Sequence, residues 1–123
     1  MTDSAKPHVI ILDDDRLSRQ LLVRITKRAD FEPIAAATGE EALELYASAE
    51  SVALVISDVL MPGMDGKQFR AKLVETHPEA RFLFISGLPA VEFPELIEAP
   101  NTHFLQKPFK PKDLLEAIQS CLE

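Results

Sequence analysis

Short unbroken apolar runs alternate along the chain with segments in which apolar residues recur every three or four positions. His8 to Leu12 reads as a strand, and Leu17, Leu21, Leu22, Ile25 and Ala29 then mark one apolar face of a helix. A second strand is expected near Glu32 to Ala37. Thr38, with Glu41 three residues on, has the pattern of a capping box and opens a helix through about Ala49. Val52 to Ser57 is the third strand, and Asp65 with Gln68 repeats the capping pattern before a helix carrying Phe69, Leu73 and Val74. The fourth strand is Arg81 to Ser86 and the fifth, shorter, is Thr102 to Leu105. Pro111 takes the first turn of a last helix through Leu114, Leu115, Ile118 and Leu122, with Phe109 placed to staple against Leu114. Between strands four and five, Pro89, Pro94 and Pro100 leave only Ala90 to Glu98 for helical turns, so the fourth helix should be irregular or shortened, with Pro94 starting or breaking it.

Five strand-helix units with continuous apolar strands imply an α/β fold whose parallel sheet is covered on both faces. The right-handed crossover rule leaves few topologies, and the flavodoxin-like order 2-1-3-4-5 suits five strands best. In such a sheet a ligand binds beyond the carboxyl ends of the strands, where the winding reverses between strands 1 and 3.

The 123 residues are one domain's worth, with residues 1–7 read as an N-terminal tail. Hydrophobic content of 46% with 27% charged residues describes an ordinary globular chain and not a disordered one. No apolar run is long enough to cross a bilayer, and Met1 to Pro7 is too short and polar for a signal peptide, so a cytoplasmic protein without membrane insertion is expected. The single Cys121 cannot form an internal disulfide and reads as a packing residue of the last helix. With 13 basic against 20 acidic residues, the net charge of −7 repels a phosphate backbone and argues against direct nucleic-acid binding.

The chemistry lies at the strand ends. Strand 1 ends in Asp13-Asp14-Asp15, strand 3 in Asp58, strand 4 in Ser86-Gly87, and strand 5 runs into Lys107-Pro108. Each follows an apolar strand, so all should converge on one edge of the sheet. Carboxylates crowded together repel at neutral pH, and a bound cation offsets that. Oxygen-only ligands, with no His or Cys among them, favour Mg²⁺ or a similar hard ion such as Mn²⁺. A hydroxyl and an ammonium beside such an ion are suitable donors to phosphoryl oxygens.

Four segments, Ile10 to Asp15, Ser57 to Gly66, Phe84 to Gly87 and Phe104 to Phe109, together resemble the receiver domain of two-component response regulators. The likeness spans nearly the whole chain, in order and at suitable spacing. It implies a phosphorelay protein in which Asp58 is the phosphoacceptor, taking the group from a phosphohistidine of a histidine kinase or a histidine phosphotransfer protein. It further implies that Asp13, Asp14, Asp58 and the main-chain carbonyl of Leu60 hold Mg²⁺. Ser86 and Lys107 would bind phosphoryl oxygens, and a cis peptide would join Lys107 to Pro108. Such a domain is not an enzyme on other substrates; it catalyses only its own phosphorylation and dephosphorylation. Asp15 reads as a helix N-terminal residue. Phe104 matches the aromatic position that swings inward with Ser86 on switching, but as a phenylalanine it could equally be a fixed core residue of a short strand.

Leu60 and Leu88, each two residues past Asp58 and Ser86, stand where the family often has polar groups, which implies slower hydrolysis of the acyl phosphate. His8, His77 and His103 have no ligand-like partners and read as surface or boundary residues. The Phe-Leu-Gln-Lys-Pro-Phe run and altered fourth helix look closest to receivers of hybrid histidine kinases. The bounds of the chain leave no room for an output domain, so it is either a stand-alone receiver or an excised piece, and since the fourth helix belongs to the output surface of many receivers, its alteration bears on the mode of any homodimer. Two other classes compete. Asp13-x-Asp15 superficially fits the first motif of haloacid-dehalogenase-like phosphatases, although Leu17 stands where that motif has Thr or Val and no acidic pair follows Lys107. A binding-only pseudo-receiver is the third reading.

Overall fold

The computed structural model describes residues 6–123. Five parallel strands form one sheet in the order β2-β1-β3-β4-β5. They are β1 (His8–Leu12), β2 (Glu32–Ala36), β3 (Val52–Asp58), β4 (Phe82–Ser86) and β5 (Thr102–Gln106). The connecting helices are α1 (Arg16–Arg28), α2 (Gly39–Ser48), α3 (Gly66–Thr76), α4 (Pro94–Ile97) and α5 (Pro111–Leu122). This is the flavodoxin-like topology expected from the alternating pattern.

Period-two alternation within the strands divides the core into two layers. Val9, Ile11, Leu54, Ile56, Leu83 and Ile85 face Leu22 and Ile25 of α1 and Leu114, Ile118 and Cys121 of α5. Ile10, Leu12, Val55, Phe82 and Phe84 face the other way, onto Ala42 and Tyr46 of α2, Phe69 and Leu73 of α3 and Leu96 of α4. Phe109 packs against the same buried cluster that contains Leu114.

The expected apolar face of α1 needs correction. Leu22 and Ile25 are buried, with Thr26 beside them, but Leu17 is 75% and Leu21 46% exposed. The helix is capped by Asp15, and Leu17 and Leu21 lie, with the exposed Arg24 and Arg28, on the side turned away from buried Leu22, Ile25 and Thr26. The α2 cap also differs in part. Thr38 accepts from the Glu41 amide, but the Glu41 carboxylate reaches past the cap to the Ala37 amide at 2.8 Å. At α3 the box closes fully between Asp65 and Gln68.

The proline-rich stretch resolves into a 3-10 turn at Ala90–Glu92 and a four-residue α4 with Pro94 in its first turn. Leu96 anchors it in the core, and Lys67 of α3 donates to Glu95 at 3.1 Å. The fourth helix is thus shortened, as the prolines require. The expected tail, residues 1–7, lies mostly outside the described residues. Its last two residues are engaged: the Pro7 carbonyl accepts from the Glu32 amide at 2.9 Å, and Lys6 pairs with Asp30 at 3.5 Å.

Candidate functional site

Strand register brings the strand-end residues together. Leu12 pairs with Ser57, so Asp13 and Asp58, one step further, stand side by side. Asp58 pairs with Ile85, which sets Ser86 beyond it, and the Lys107 amide donates to the Ser86 carbonyl at 2.8 Å. Carboxylate oxygens of Asp13, Asp14 and Asp58 lie within 4.8 Å of one another. Lys107 Nζ stands 3.7 Å from Asp58 Oδ2. The Lys107-Pro108 peptide is cis.

The three acids differ in environment. Asp13 is buried, and burial pushes its carboxyl up from 3.8 to about 6, with Asp58 adding repulsion and the Asp15 amide, 2.9 Å from Asp13 Oδ1, opposing. Burial also raises Asp58, against the pull of Lys107. Asp14 is exposed. Asp15 stands apart from the cluster: it caps α1 by accepting from the Ser18 amide at 2.8 Å, and that bond holds its carboxyl below the usual range. An all-oxygen set of carboxylates, two of them held at raised pKa, fits a hard divalent cation such as Mg²⁺.

Ser86 is buried, and its Oγ accepts from the Leu88 amide at 3.0 Å. Leu60 and Leu88, each two residues past Asp58 and Ser86, are 55% and 44% exposed. Phe104 is half-buried, its ring 6.0 Å from Phe84 and stacked at 6.2 Å on Phe93, the residue that precedes α4. The histidines lie elsewhere: His8 Nδ1 lies 3.1 Å from the Ser51 carbonyl oxygen, His77 packs edge-on against Tyr46 at 4.7 Å, and His103 is exposed.

Several supporting residues carried no sequence signal of their own. Ser57 donates its hydroxyl to the Asp58 carbonyl at 2.8 Å, and Arg19 Nη1 donates to the Asp13 carbonyl at 2.8 Å, so both acid-bearing turns are pinned through their backbones. Gly66 packs so closely that a Cβ there would lie 2.6 Å from the Asp58 carbonyl oxygen and 3.0 Å from the Phe84 ring. It ends the Met61-Pro62-Gly63-Met64-Asp65-Gly66 turn, where only the motif hinted at its importance.

A family model described as the response regulator receiver domain matches residues 9–119. The chain belongs to that family, the receiver domains of two-component signalling. It is 34% identical over 122 residues to the sensor kinase CckA of Brucella abortus, covering 98% of this chain but 13% of the kinase. Against the response regulator receiver protein CpdR of Brucella abortus it is 30% identical over 115 residues, covering 93% of this chain and 95% of CpdR. Among solved structures, the Vibrio cholerae chemotaxis protein CheY4 matches with a TM-score of 0.88 at 30% identity, covering 96% of this chain and all of that one at 100%. The receiver domain of the hybrid histidine kinase CckA matches with a TM-score of 0.79 at 32% identity, covering 94% and 99%. No helix among the described residues is long and apolar enough to cross a membrane.

Proposed function

We propose that Asp58 accepts a phosphoryl group from a phosphohistidine of a sensor histidine kinase or histidine phosphotransfer protein, in the cytoplasm, as a step of a phosphorelay. The observation that carries this reading is the convergence of three carboxylates within 4.8 Å with Lys107 at 3.7 Å from Asp58. Asp13, Asp14 and Asp58, with the Leu60 main-chain carbonyl, would hold Mg²⁺ or Mn²⁺, which supplies positive charge to the phosphoryl oxygens when bound.

The chain's own residues do the rest. A carboxylate oxygen of Asp58 attacks phosphorus, an acyl phosphate bond forms, the P–N bond breaks, and its electron pair leaves on the imidazole nitrogen. Lys107 offers its ammonium to one phosphoryl oxygen and Ser86 its hydroxyl to another, so the work is positioning and charge stabilisation. Ser86 Oγ accepts from the Leu88 amide and keeps its O–H free to donate, and a rotation of Ser86 toward the phosphoryl group would carry Oγ away from that amide. Phe104, between Phe84 and Phe93, is placed to pass that change to α4 as a change of packing and so to alter a protein-contact surface. Hydrolysis returns free Asp58 and phosphate.

The haloacid-dehalogenase-like reading has less support, since Asp15, the second acid of its motif, is committed to capping α1. Mass spectrometry after incubation with Mg²⁺ and acetyl phosphate tests the proposal. A phosphoryl adduct that disappears in Asp58→Asn supports it, an adduct on Asp13 supports the phosphatase, and no adduct leaves a binding-only domain.

A further inference from the structure

Besides Leu60, the large apolar side chains that the described residues leave exposed fall into two groups: Leu17 and Leu21 on α1, and Leu88, Val91 and Ile97 across the 3-10 turn and α4. The two groups carry opposite charge. Helix α1 contains Arg16, Arg19, Arg24, Lys27 and Arg28 and no acid. On its outer side Leu17, Leu21, Arg24 and Arg28 succeed one another at three- and four-residue steps, which is one continuous stripe. The segment from Leu88 to Ala99 contains Glu92, Glu95 and Glu98 and no Lys or Arg. Among the described residues Arg24, Arg28, Glu92 and Glu98 form no ion pair, whereas Glu95 is already paired with Lys67.

Each patch therefore lacks what the other displays. We infer that α1 of one copy of this chain docks on the 88–98 segment of a second copy, leucine side chains against Val91 and Ile97, and Arg24 and Arg28 against Glu92 and Glu98. Charge decides the geometry. A two-fold contact of α1 with α1, or of the acidic segment with itself, would set like charges against each other, so the pairing is heterologous. The helix packs with α5 on one face of the sheet, while α4 packs with α2 and α3 on the other, so a single contact leaves both remaining patches free to recruit further copies. The patches are small, which makes the contact weak and visible at high protein concentration. The net charge of −7 opposes approach at long range, but that repulsion is screened beyond about 8 Å at physiological ionic strength, while the local pairs are not.

A charge swap tests this. Sedimentation of the full chain at physiological salt should show a weight-average mass that climbs with concentration past that of a dimer. Arg24→Glu/Arg28→Glu and Glu92→Lys/Glu98→Lys should each stay monomeric over the same range. Both should keep the wild-type melting temperature and uptake of phosphoryl from acetyl phosphate, which shows that the fold is intact. The second variant is the sharper one: its net charge moves closer to zero, so non-specific association would rise, whereas the inferred contact is lost. An equimolar mixture of the two variants should recover the wild-type association, because each supplies the charge that the other now needs. A wild-type mass that stays monomeric, or levels off at a dimer, overturns the inference. So does self-association of either variant alone, or failure of the mixture to associate.

Discussion

The ammonium of Lys107 and the carboxylate of Asp58 stand 3.7 Å apart at the carboxyl rim of the sheet, with side-chain exposures of 33% and 15%. Burial raises the Asp58 pKa, and Lys107 is the largest influence holding it down. Lys107→Ala should therefore move Asp58 further up, read by carboxyl NMR titration of the metal-free protein. Phosphoryl uptake from acetyl phosphate should fall by roughly a hundredfold, as for loss of one preorganised donor. An unchanged titration and rate would remove Lys107 from the site.

Gly66 has a steric reason to be glycine. A Cβ would sit 2.6 Å from the Asp58 carbonyl oxygen and 3.0 Å from a Phe84 ring carbon, and the first of these is backbone that cannot swing away. Gly66→Ala should lower stability by about 1–3 kcal/mol and slow phosphoryl uptake by displacing the turn after Asp58. Gly87→Ala is the control, since a methyl group there would meet nothing within 4 Å. Equal melting temperatures for the two variants would show that the contact at Gly66 relaxes freely.

Strands β1, β3 and β4 were legible because a strand buried on both faces needs an unbroken apolar run, and each run ends on the polar residue that the rim exposes. The convergence of Asp13, Asp58, Ser86 and Lys107 follows from that topology alone. Helix α1 shows where such reading stops. Periodicity groups Leu17 and Leu21 with Leu22 and Ile25 but does not say which side of the helix the sheet covers, and it gives no reason to bury Thr26, whose Oγ1 has no hydrogen-bond partner among the described residues. Ser57 and Arg19 were hidden for a related reason: their bonds to the Asp58 and Asp13 carbonyls exist only once strand and helix are in place.

The stacking of Phe104 on Phe93 bears on how α4 is held. The Leu96 and Ile97 amides both donate to the Phe93 carbonyl, so this four-residue helix is built on a residue whose ring rests on Phe104. Phe104→Ala should lower stability by about 1–3 kcal/mol and speed amide exchange at Leu96 and Ile97 more than in α3. Unchanged exchange at those amides would mean that Leu96 and the Lys67–Glu95 pair hold α4 without the aromatic stack.

Leu60 leaves an apolar side chain, 55% exposed, two residues past Asp58. An apolar flank offers no hydrogen bond to orient a water toward the acyl phosphate. Leu60→Asn should therefore shorten the lifetime of phospho-Asp58 several-fold, followed as loss of the adduct after the phosphodonor is removed. An unchanged lifetime would place control of hydrolysis elsewhere.

Asp13 makes the metal-free site sensitive to pH in a direction opposite to that of a salt-bridged acid. Its folded pKa is about 6 against 3.8 for an ordinary aspartate, raised first by burial. Between those values the folded chain holds a proton that the unfolded chain has lost, so stability falls as pH rises from about 4 to about 6, and the deficit is complete above that window. Asp58, also raised, adds to it in the same sense. Asp13→Asn keeps an oxygen able to accept from the Asp15 amide and removes the charge. Urea melts with chelator should show the variant more stable than wild type by on the order of 1 kcal/mol at neutral pH, with the advantage shrinking toward pH 4. Addition of Mg²⁺ should stabilise wild type and leave the variant nearly unaffected, because binding to the folded state is what shifts the equilibrium. A variant less stable than wild type at neutral pH without metal would show that the Asp13 carboxylate is a structural acceptor and not a cation ligand held at an energetic cost.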